Sequence, residues 1–318
     1  MNKVLIIIAA SLVGAGLIIF AVAMAMNFWD FTKLSTEKYE TNTHDITEKF
    51  TNISIKTDTA DIVLLPSEGE NCKVVCYEST TGRHTVSAQD GTLSVNEVNT
   101  KKWYQYIGIG IGSTKITVYL PESEYSHLAI DESTGDVDIP RNFKFASMDI
   151  SISTGDVKSR ASVSGTAKIK TSTGDIDIAN LTADSLDLSV TTGKIILADV
   201  SCSGDVKIKV STGKSNLTSL TCKNLTSDGN TGKIYLTEVI ATEKISIERS
   251  TGDVSFDRCD AAEIFVQTDT GDVSGTLLSD KIFTAKTDTG DVDIPRSSSG
   301  GRCEITTDTG DIEISISN

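Results

Sequence analysis

The feature that most constrains the fold is a Thr-Gly dipeptide that recurs ten times, at intervals of 19 or 20 residues. The next residue is Asp in seven copies and Lys in three. A fixed period near 20 residues is typical of a solenoid, in which each repeat is one structural unit stacked on its neighbour. The ten glycines are Gly135, Gly155, Gly174, Gly193, Gly213, Gly232, Gly252, Gly271, Gly290 and Gly310.

Apolar and polar residues alternate within each repeat, which indicates strands with one buried face. Around Gly193, for example, the apolar residues are Leu186, Leu188, Ile195 and Leu197. The Thr-Gly lies between two strands and is interpreted as a structural corner, where Gly accepts a positive φ. Because no repeat has helical periodicity, equivalent strands must stack directly on one another, about 4.8 Å apart. The sequence predicts an all-β fold: a parallel β-solenoid (β-helix) of about ten coils over residues 127–318.

The chain begins with an uncharged stretch from Val4 to Met26. As a helix it would span roughly 34 Å, enough to cross a bilayer. Trp29 follows at the place where membrane-interface aromatics are expected. We therefore predict a single transmembrane anchor over residues 1–29, with the amino terminus inside and the bulk of the chain extracellular.

A cleaved signal segment is the alternative interpretation of this stretch. The small residues Ala21, Ala23 and Ala25 leave cleavage open. The apolar run is longer than the 7–15 residues usual in a signal peptide, so we favour the anchor.

Residues 30–45 are polar without alternation and are predicted to be a linker. Residues 46–126 are predicted to form an irregular N-terminal β cap. Within it, Thr57 to Ile62 copies the later repeats with Ala60 in place of Gly, as expected of a degenerate capping coil. The aromatic and glycine-rich segment 103–112 is either a plug over the first coil or a contact loop.

Several motifs together carry a family resemblance. They are a first strand after residue 46, an Asp-Gly-Thr-Leu turn at 90–93, the strand Ile116 to Pro121, and the repeated Ser/Thr-Gly-Asp-Val/Ile corners. This pattern resembles the bacterial "putative adhesin" β-strand-repeat family over about residues 46–318. The resemblance implies a domain of unknown function, often membrane-anchored and found in cell-envelope stress gene clusters. It carries no catalytic residues with it.

Charge and cysteine content exclude some classes of function. The formal net charge of −15 excludes a basic nucleic-acid-binding surface. The six cysteines lack the spacing of a cysteine-rich zinc site. Cys202 and Cys222 both follow their corner glycine by nine residues, so stacking would bring them within disulfide range. Free thiols acting as small apolar residues are the interpretation we favour.

Aspartates concentrate at the corners of the last three coils. Stacked like charges about 5 Å apart cost about 0.9 kcal/mol per neighbouring pair even in bulk water. One hypothesis is therefore a metal site for Ca²⁺. The alternative, which we favour, is a solvated face whose carboxylates bond to turn amides, and no other cofactor is expected. The residues are Asp269, Asp272, Asp288, Asp291, Asp308 and Asp311.

Paired carboxylates two residues apart raise the question of a carbohydrate-active β-helix enzyme. Their separation of about 6.6 Å overlaps that of inverting glycosidases. The pairs belong to the repeat itself, whereas a catalytic site should interrupt a repeat, so we expect no enzyme. They are Asp136 and Asp138, Asp175 and Asp177, Asp291 and Asp293, and Asp311 and Glu313.

The alternation continues to the end of the chain, through Ile314 to Asn318. An open coil edge can pair with another chain. Either a partner or a second copy covers this edge, or Ser and Asn blunt it, so self-association through a C-terminal edge is a hypothesis. The predicted function is a non-catalytic, adhesin-like binding or scaffold module of the cell envelope, with a cell-wall polymer, glycan or envelope protein as ligand. The alternative is an accessory or regulatory protein of envelope-stress signalling.

Overall fold

The computed structural model describes residues 3–26, 29, 37–99 and 113–317. In these residues one helix, α1 (Lys3–Met26), precedes 25 strands that belong to one continuous sheet. The strands are β1 (Tyr39–Ile46), β2 (Asn52–Thr59), β3 (Asp61–Pro66), β4 (Cys72–Ser79), β5 (Gly82–Gln89), β6 (Thr92–Asn99), β7 (Lys115–Leu120), β8 (Glu124–Thr134), β9 (Val137–Ile139), β10 (Lys144–Thr154), β11 (Val157–Ser159), β12 (Ser162–Val163), β13 (Thr166–Thr173), β14 (Ile176–Ala179), β15 (Thr182–Ala183), β16 (Ser185–Cys202), β17 (Asp205–Thr231), β18 (Ile234–Thr237), β19 (Ile240–Thr251), β20 (Val254–Thr270), β21 (Val273–Leu277), β22 (Lys281–Thr289), β23 (Val292–Asp293), β24 (Gly301–Thr309) and β25 (Ile312–Ile316).

Helix α1 is long and apolar enough to cross a membrane, and it is the one such helix in the described residues. Its side chains are almost all exposed, as expected of a segment that does not pack on the β domain. By length and composition α1 fits either a membrane anchor or a signal segment. The segment 103–112 lies outside the described residues, so its assignment as plug or contact loop stays a prediction.

The repeats stack as a parallel β-solenoid of about ten turns, which confirms the predicted fold class. Equivalent strands of adjacent coils pair in register: Thr134 lies beside Thr154, and Thr173 beside Thr192. The alternating apolar residues point inward, so that Leu186, Leu188 and their equivalents form one continuous core. Lengthening the stack therefore lengthens the core in proportion.

Each central coil has a second corner that sequence analysis did not predict. Six positions after the corner glycine, five residues adopt the left-handed conformation, with φ between 51° and 55°. Asn and Asp tolerate this conformation, but only two of the five are of these types. The other three, Ser219, Glu238 and Arg258, are residue types that do not indicate a left-handed conformation in the sequence. The five are Asn180, Asp199, Ser219, Glu238 and Arg258.

The last coils do not stack in chain order, so the prediction that successive repeats lie directly on one another is wrong there. Strand β24 inserts between β20 and β22, which places Gly310 between Gly271 and Gly290 in the stack. The chain passes between two coils at Gly300 and Gly301. A Cβ at Gly301 would lie 1.9 Å from the Ala262 carbonyl oxygen, so this close passage requires glycine.

The N-terminal coils have the same arrangement in reverse. The coil of β2 and β3, with Ala60 at its corner, lies between the coil of β8 and β9 and the coil of β6 and β7. The coil that contains Ala60 is therefore internal, contrary to the capping role expected of it. The outer position belongs to β6 and β7, and the antiparallel strands β1, β4 and β5 complete this end.

The predicted linker over residues 30–45 is too long. Strand β1 begins at Tyr39 and pairs antiparallel with β4 along its whole length, from Tyr39–Ser79 to Ile46–Cys72. Its sequence lacks apolar alternation because the half-buried positions between its exposed residues carry polar side chains, Glu40, Asn42 and His44. The strand is defined by its partner, and no local pattern could reveal it.

Candidate functional site

The ten corner glycines form one line along the solenoid. Their φ values lie between 133° and 156°, a region that other residues rarely adopt. In nine of them an added Cβ would lie 1.6–2.3 Å from the carbonyl oxygen of the corner glycine in an adjacent coil. The coils therefore approach so closely at this corner that no side chain fits.

The residue after each glycine forms a second line, the corner column. Its aspartates bridge adjacent coils: the Asp156 N–H donates to Asp136 Oδ1 at 2.8 Å, and the Asp175 N–H donates to Asp156 Oδ1 at 2.7 Å. The same bond joins Asp311 to Asp272 and Asp291 to Asp311. Each carboxylate satisfies a backbone donor that the turn would otherwise leave unpaired. This explains the preference for Asp at the position after the corner Gly.

The three lysines of the corner column are bounded by aspartates at both ends. Lys194 Nζ lies 3.4 Å from Asp175 Oδ2, and Lys233 forms an ion pair with Asp253. The hydrogen bond from Lys233 lowers the pKa of the Asp253 carboxyl. The lysine block is thus neutralised at its edges, where it meets the two acidic stretches.

The aspartates proposed for Ca²⁺ lie in two neighbouring lines at the C-terminal end of the stack. One oxygen of Asp272 and one of Asp311 accept backbone N–H bonds. Lys286 Nζ lies 2.8 Å from Asp288 Oδ1. Among the described residues, no three of these carboxylates have oxygens all within 4.8 Å of one another. Calcium binding at this end stays a hypothesis, whereas the backbone bonds of Asp272 and Asp311 agree with the solvated face that we favour.

The carboxylate pairs considered for glycosidase chemistry are also engaged elsewhere. Asp136 and Asp175 accept the backbone bonds of the corner column. Asp177 accepts a 2.9 Å hydrogen bond from the Arg160 guanidinium. These contacts give the carboxylates a structural task in the described part of the chain.

A line of alternating charges, which we call the flat-face column, runs along the strand before the corner. Its four residues lie six positions before successive corner glycines, and pair in register from coil to coil. All four are exposed. Sequence analysis missed the column, although the same counting from each glycine would have found it. The four are Asp149, Lys168, Asp187 and Lys207.

The same column position carries an aromatic residue further along the stack. Lys244 Nζ lies 4.3 Å from the ring centroid of Phe265, and the Arg302 guanidinium carbon lies 5.2 Å from it. Cation–π attraction of this kind holds the Lys244 and Arg302 side chains against the ring of Phe265. The flat face, the surface formed by the strands before the corner, therefore presents alternating charges in the first coils and a half-buried aromatic residue, flanked by two cations, further along.

The six cysteines are free, buried thiols in the structure. Burial, with a smaller contribution from Cys202, raises the pKa of Cys222 to about 12. Such thiols are protonated and unreactive at neutral pH. This agrees with the interpretation of Cys202 and Cys222 as small apolar core residues.

One known family model matches the β domain from residue 50 onward. The family model described as Toastrack DUF4097 matches residues 50–210 and 201–318. The chain belongs to the Toastrack DUF4097 family. This confirms the resemblance found by sequence analysis. Comparison with curated proteins gives no match.

Several solved structures align with this chain at low sequence identity. A protein described as a putative adhesin from Parabacteroides distasonis ATCC 8503 aligns with a TM-score of 0.52 at 10% identity, over 88% of this chain and 98% of its own. A putative adhesin from Parabacteroides merdae ATCC 43184 gives 0.47 at 13% identity, over 88% and 98% of the two chains. A putative lipid binding protein from P. distasonis ATCC 8503 gives 0.48 at 16%, over 76% and 95%. The alignment with the P. distasonis putative adhesin, at a TM-score of 0.52, shows that the two chains share a fold.

Proposed function

We propose that this Toastrack DUF4097 chain is a non-catalytic, membrane-anchored scaffold that binds an extended cell-wall polymer or glycan along its flat face. One observation carries the proposal: equivalent side chains of successive coils lie in register. One side chain per coil is thereby presented along a line at a spacing of about 4.8 Å. A ligand built from repeated units can contact such a line at several places at once.

The flat-face column supports this choice of ligand. Asp149, Lys168, Asp187 and Lys207 present both charges in alternation, and half-buried Phe265 adds an aromatic ring between Lys244 and Arg302. Polar groups with a ring face suit sugars, whose hydroxyls need hydrogen bonds and whose C–H faces pack on rings. Affinity would come from many weak contacts in series, as in multivalent binding.

The proposed location follows from α1 and from the family. An apolar helix of 24 residues is long enough to span a bilayer, and the β domain would then lie on the outer side. The description of the P. distasonis structure as a putative adhesin supports an envelope role. A non-catalytic role is supported by the engagement of the repeat carboxylates in backbone bonds.

The binding test uses the full chain in detergent micelles, sedimented with purified cell-wall sacculi. We expect the wild-type chain to be retained on the sacculi. Changing Lys168 and Lys207 to Ser should lower retention at least several-fold. The control removes the same charge from other columns, as Lys158→Ser with Lys214→Ser, and should be retained normally.

The opposite result is also informative. A chain that does not sediment with sacculi, but captures one specific membrane protein, would overturn the proposal in favour of an accessory role in envelope-stress signalling. Equal losses in the two double variants would show that net charge, not the flat face, controls retention.

The orientation can be tested separately, because the six native thiols are buried. A single exposed thiol introduced as Ser299→Cys should react with a membrane-impermeant maleimide in intact cells. Labelling that requires cell lysis would contradict an extracellular β domain. The wild-type chain is the control for background labelling.

A further inference from the structure

Three side chains with metal-binding atoms converge in the N-terminal cap. Cys76 and Glu78 lie on β4, and His84 lies near the start of β5. The Cys76 sulfur, a Glu78 carboxylate oxygen and a His84 ring nitrogen all lie within 4.8 Å of one another. All three residues are buried, with exposures of 0%, 1% and 5%. Of the described residues, these alone form a group of this kind.

The hairpin between β4 and β5 creates this juxtaposition. Alternation along β4 points Cys76 and Glu78 to the same face, together with the core residues Cys72 and Val74. The His84 N–H and its Nδ1 both lie 2.7 Å from Glu78 Oε2. The chain therefore folds His84 back over the carboxylate that precedes it by six residues.

Further hydrogen bonds orient two of the three side chains, His84 and Glu78. His84 Nε2 lies 2.9 Å from Thr57 Oγ1, and that hydroxyl donates to Glu97 Oε2 at 3.1 Å. Glu78 Oε1 accepts a 2.6 Å bond from Asn42 Nδ2. Metal-ligating histidines almost always use their second nitrogen in this way, and ligating carboxylates are similarly held. The supporting contacts of a metal site are thus already present.

Burying Cys76, Glu78 and His84 together costs more folding free energy than burying apolar residues at these positions would. A buried carboxylate and imidazole must overcome their desolvation, and apolar residues at the same positions are often more stable. The neighbouring positions Cys72 and Val74 on β4 are in fact apolar. One sulfur, one nitrogen and one oxygen donor are a set that Zn²⁺ accepts, with a fourth position left for water.

We propose that Cys76, Glu78 and His84 bind a divalent transition-metal ion of the Zn²⁺ type, His84 through Nδ1. Binding of the ion releases two protons to solvent, the one shared between Glu78 and His84 and the thiol proton of Cys76, and the bound ion joins β4 to β5. Because β1, β4 and β5 complete the N-terminal end of the solenoid, the metal acts as a clamp on this cap. The site is independent of the polymer-binding role proposed above.

The test uses the full chain in detergent, freed of metal by chelation and dialysis, and Co²⁺ as the spectroscopic probe. We expect one equivalent of Co²⁺ to produce a thiolate-to-cobalt charge-transfer band. Zn²⁺ should displace the cobalt and abolish the band. Zn²⁺ at a hundredfold excess over Kd should also raise the Tm by about 4 °C.

Matched cysteine variants identify the ligand. Cys76→Ser should abolish the band, whereas Cys222→Ser, which removes a buried thiol of the central coils, should keep it. Absence of the band and an unchanged Tm in the folded wild-type chain would overturn the proposal without any variant. Retention of the band in folded Cys76→Ser would overturn the assignment of the sulfur.

Discussion

Gly213 lies over Gly193 in the stack so closely that a Cβ on Gly213 would be 1.7 Å from the carbonyl oxygen of Gly193. The paired strands β16 and β17 hold both glycines in direct register. Neither backbone can retreat without breaking the ladder on each side of the corner. The line of corner glycines therefore sets the distance between coils.

This contact predicts that Gly213→Ala is severely destabilising. The substitution adds a clash with backbone to the strain of a residue at φ 144°. We expect a loss of more than about 4 kcal/mol, a value reached only by changes of this severity. Chemical denaturation followed by circular dichroism measures it.

Gly69→Ala is the matched control for that substitution. A Cβ at Gly69 would have no heavy atom within 4 Å, and its φ is not in the positive region. We expect a change within about 0.5 kcal/mol, as is usual for surface positions. Similar stabilities for the two variants would contradict the close stacking of the corners.

Glu132 predicts a specific pH dependence of stability. Burial raises the pKa of its carboxyl to about 8, although the Ala60 N–H bond to Oε1 opposes the shift; nearby Asp61 and Asp136 add to it. Below pH 4.5 the Glu132 carboxyl is protonated in both the folded and the unfolded state, so the stabilisation that its raised pKa gives the folded state is fully present. Between pH 4.5 and about 8 only the folded state keeps the proton, so stability falls as pH rises, by at most about 1.4 kcal/mol per pH unit.

Glu132→Gln should remove this dependence because Gln keeps an acceptor for the Ala60 N–H and does not ionise. The Tm difference between the variant and wild type should shift in favour of the variant from pH 5 to pH 8. Thermal melts at several pH values measure it. Parallel pH profiles for the two proteins would show that Glu132 is not the titrating group.

The melting temperature tests the Ca²⁺ hypothesis for the aspartates of the last three coils against the solvated face that we favour. If Asp272, Asp311 and their neighbours bind Ca²⁺, calorimetry should give a higher midpoint with Ca²⁺ than with chelator. The double variant Asp272→Asn with Asp311→Asn should lose this difference, whereas Asp149→Asn with Asp187→Asn should keep it. An unchanged wild-type midpoint would favour a purely structural role for the carboxylates.

The outer C-terminal coil predicts self-association at a different place from the chain end. Strand β25 pairs with β21 and, at Ile312 and Glu313, with β23, so the outermost coil is that of β22 and β23. Ile282 and Val292 are 50% and 43% exposed there. An apolar open edge can pair with a second copy.

Sedimentation of the full chain in detergent should therefore show concentration-dependent dimers. Ile282→Glu with Val292→Glu should shift the equilibrium to monomers. The control is the double variant Lys158→Ser with Lys214→Ser, which changes two exposed residues of other coils and should leave the association unchanged. A wild-type monomer at every concentration would exclude association through this edge.

Counting from the glycines predicted the coil, its buried positions and the corner, because these features repeat and each is local to one unit. The order of the last coils was not predictable in this way. Thr-Asp-Thr-Gly-Asp occurs identically around Gly271, Gly290 and Gly310, so any of these coils can stack on any other. The order depends on the path that the chain takes through Gly300 and Gly301.

The sequence by itself determined the period, the all-β architecture, the corner glycines and the membrane-length apolar segment. Only the tertiary structure decided that β1 is a strand, that both end coils are out of chain order, and that Cys76, Glu78 and His84 meet beside Thr57. The physical reason is that periodicity reports which face of a strand is buried. It contains no information about which distant strand, or which polar side chain, lies against that face.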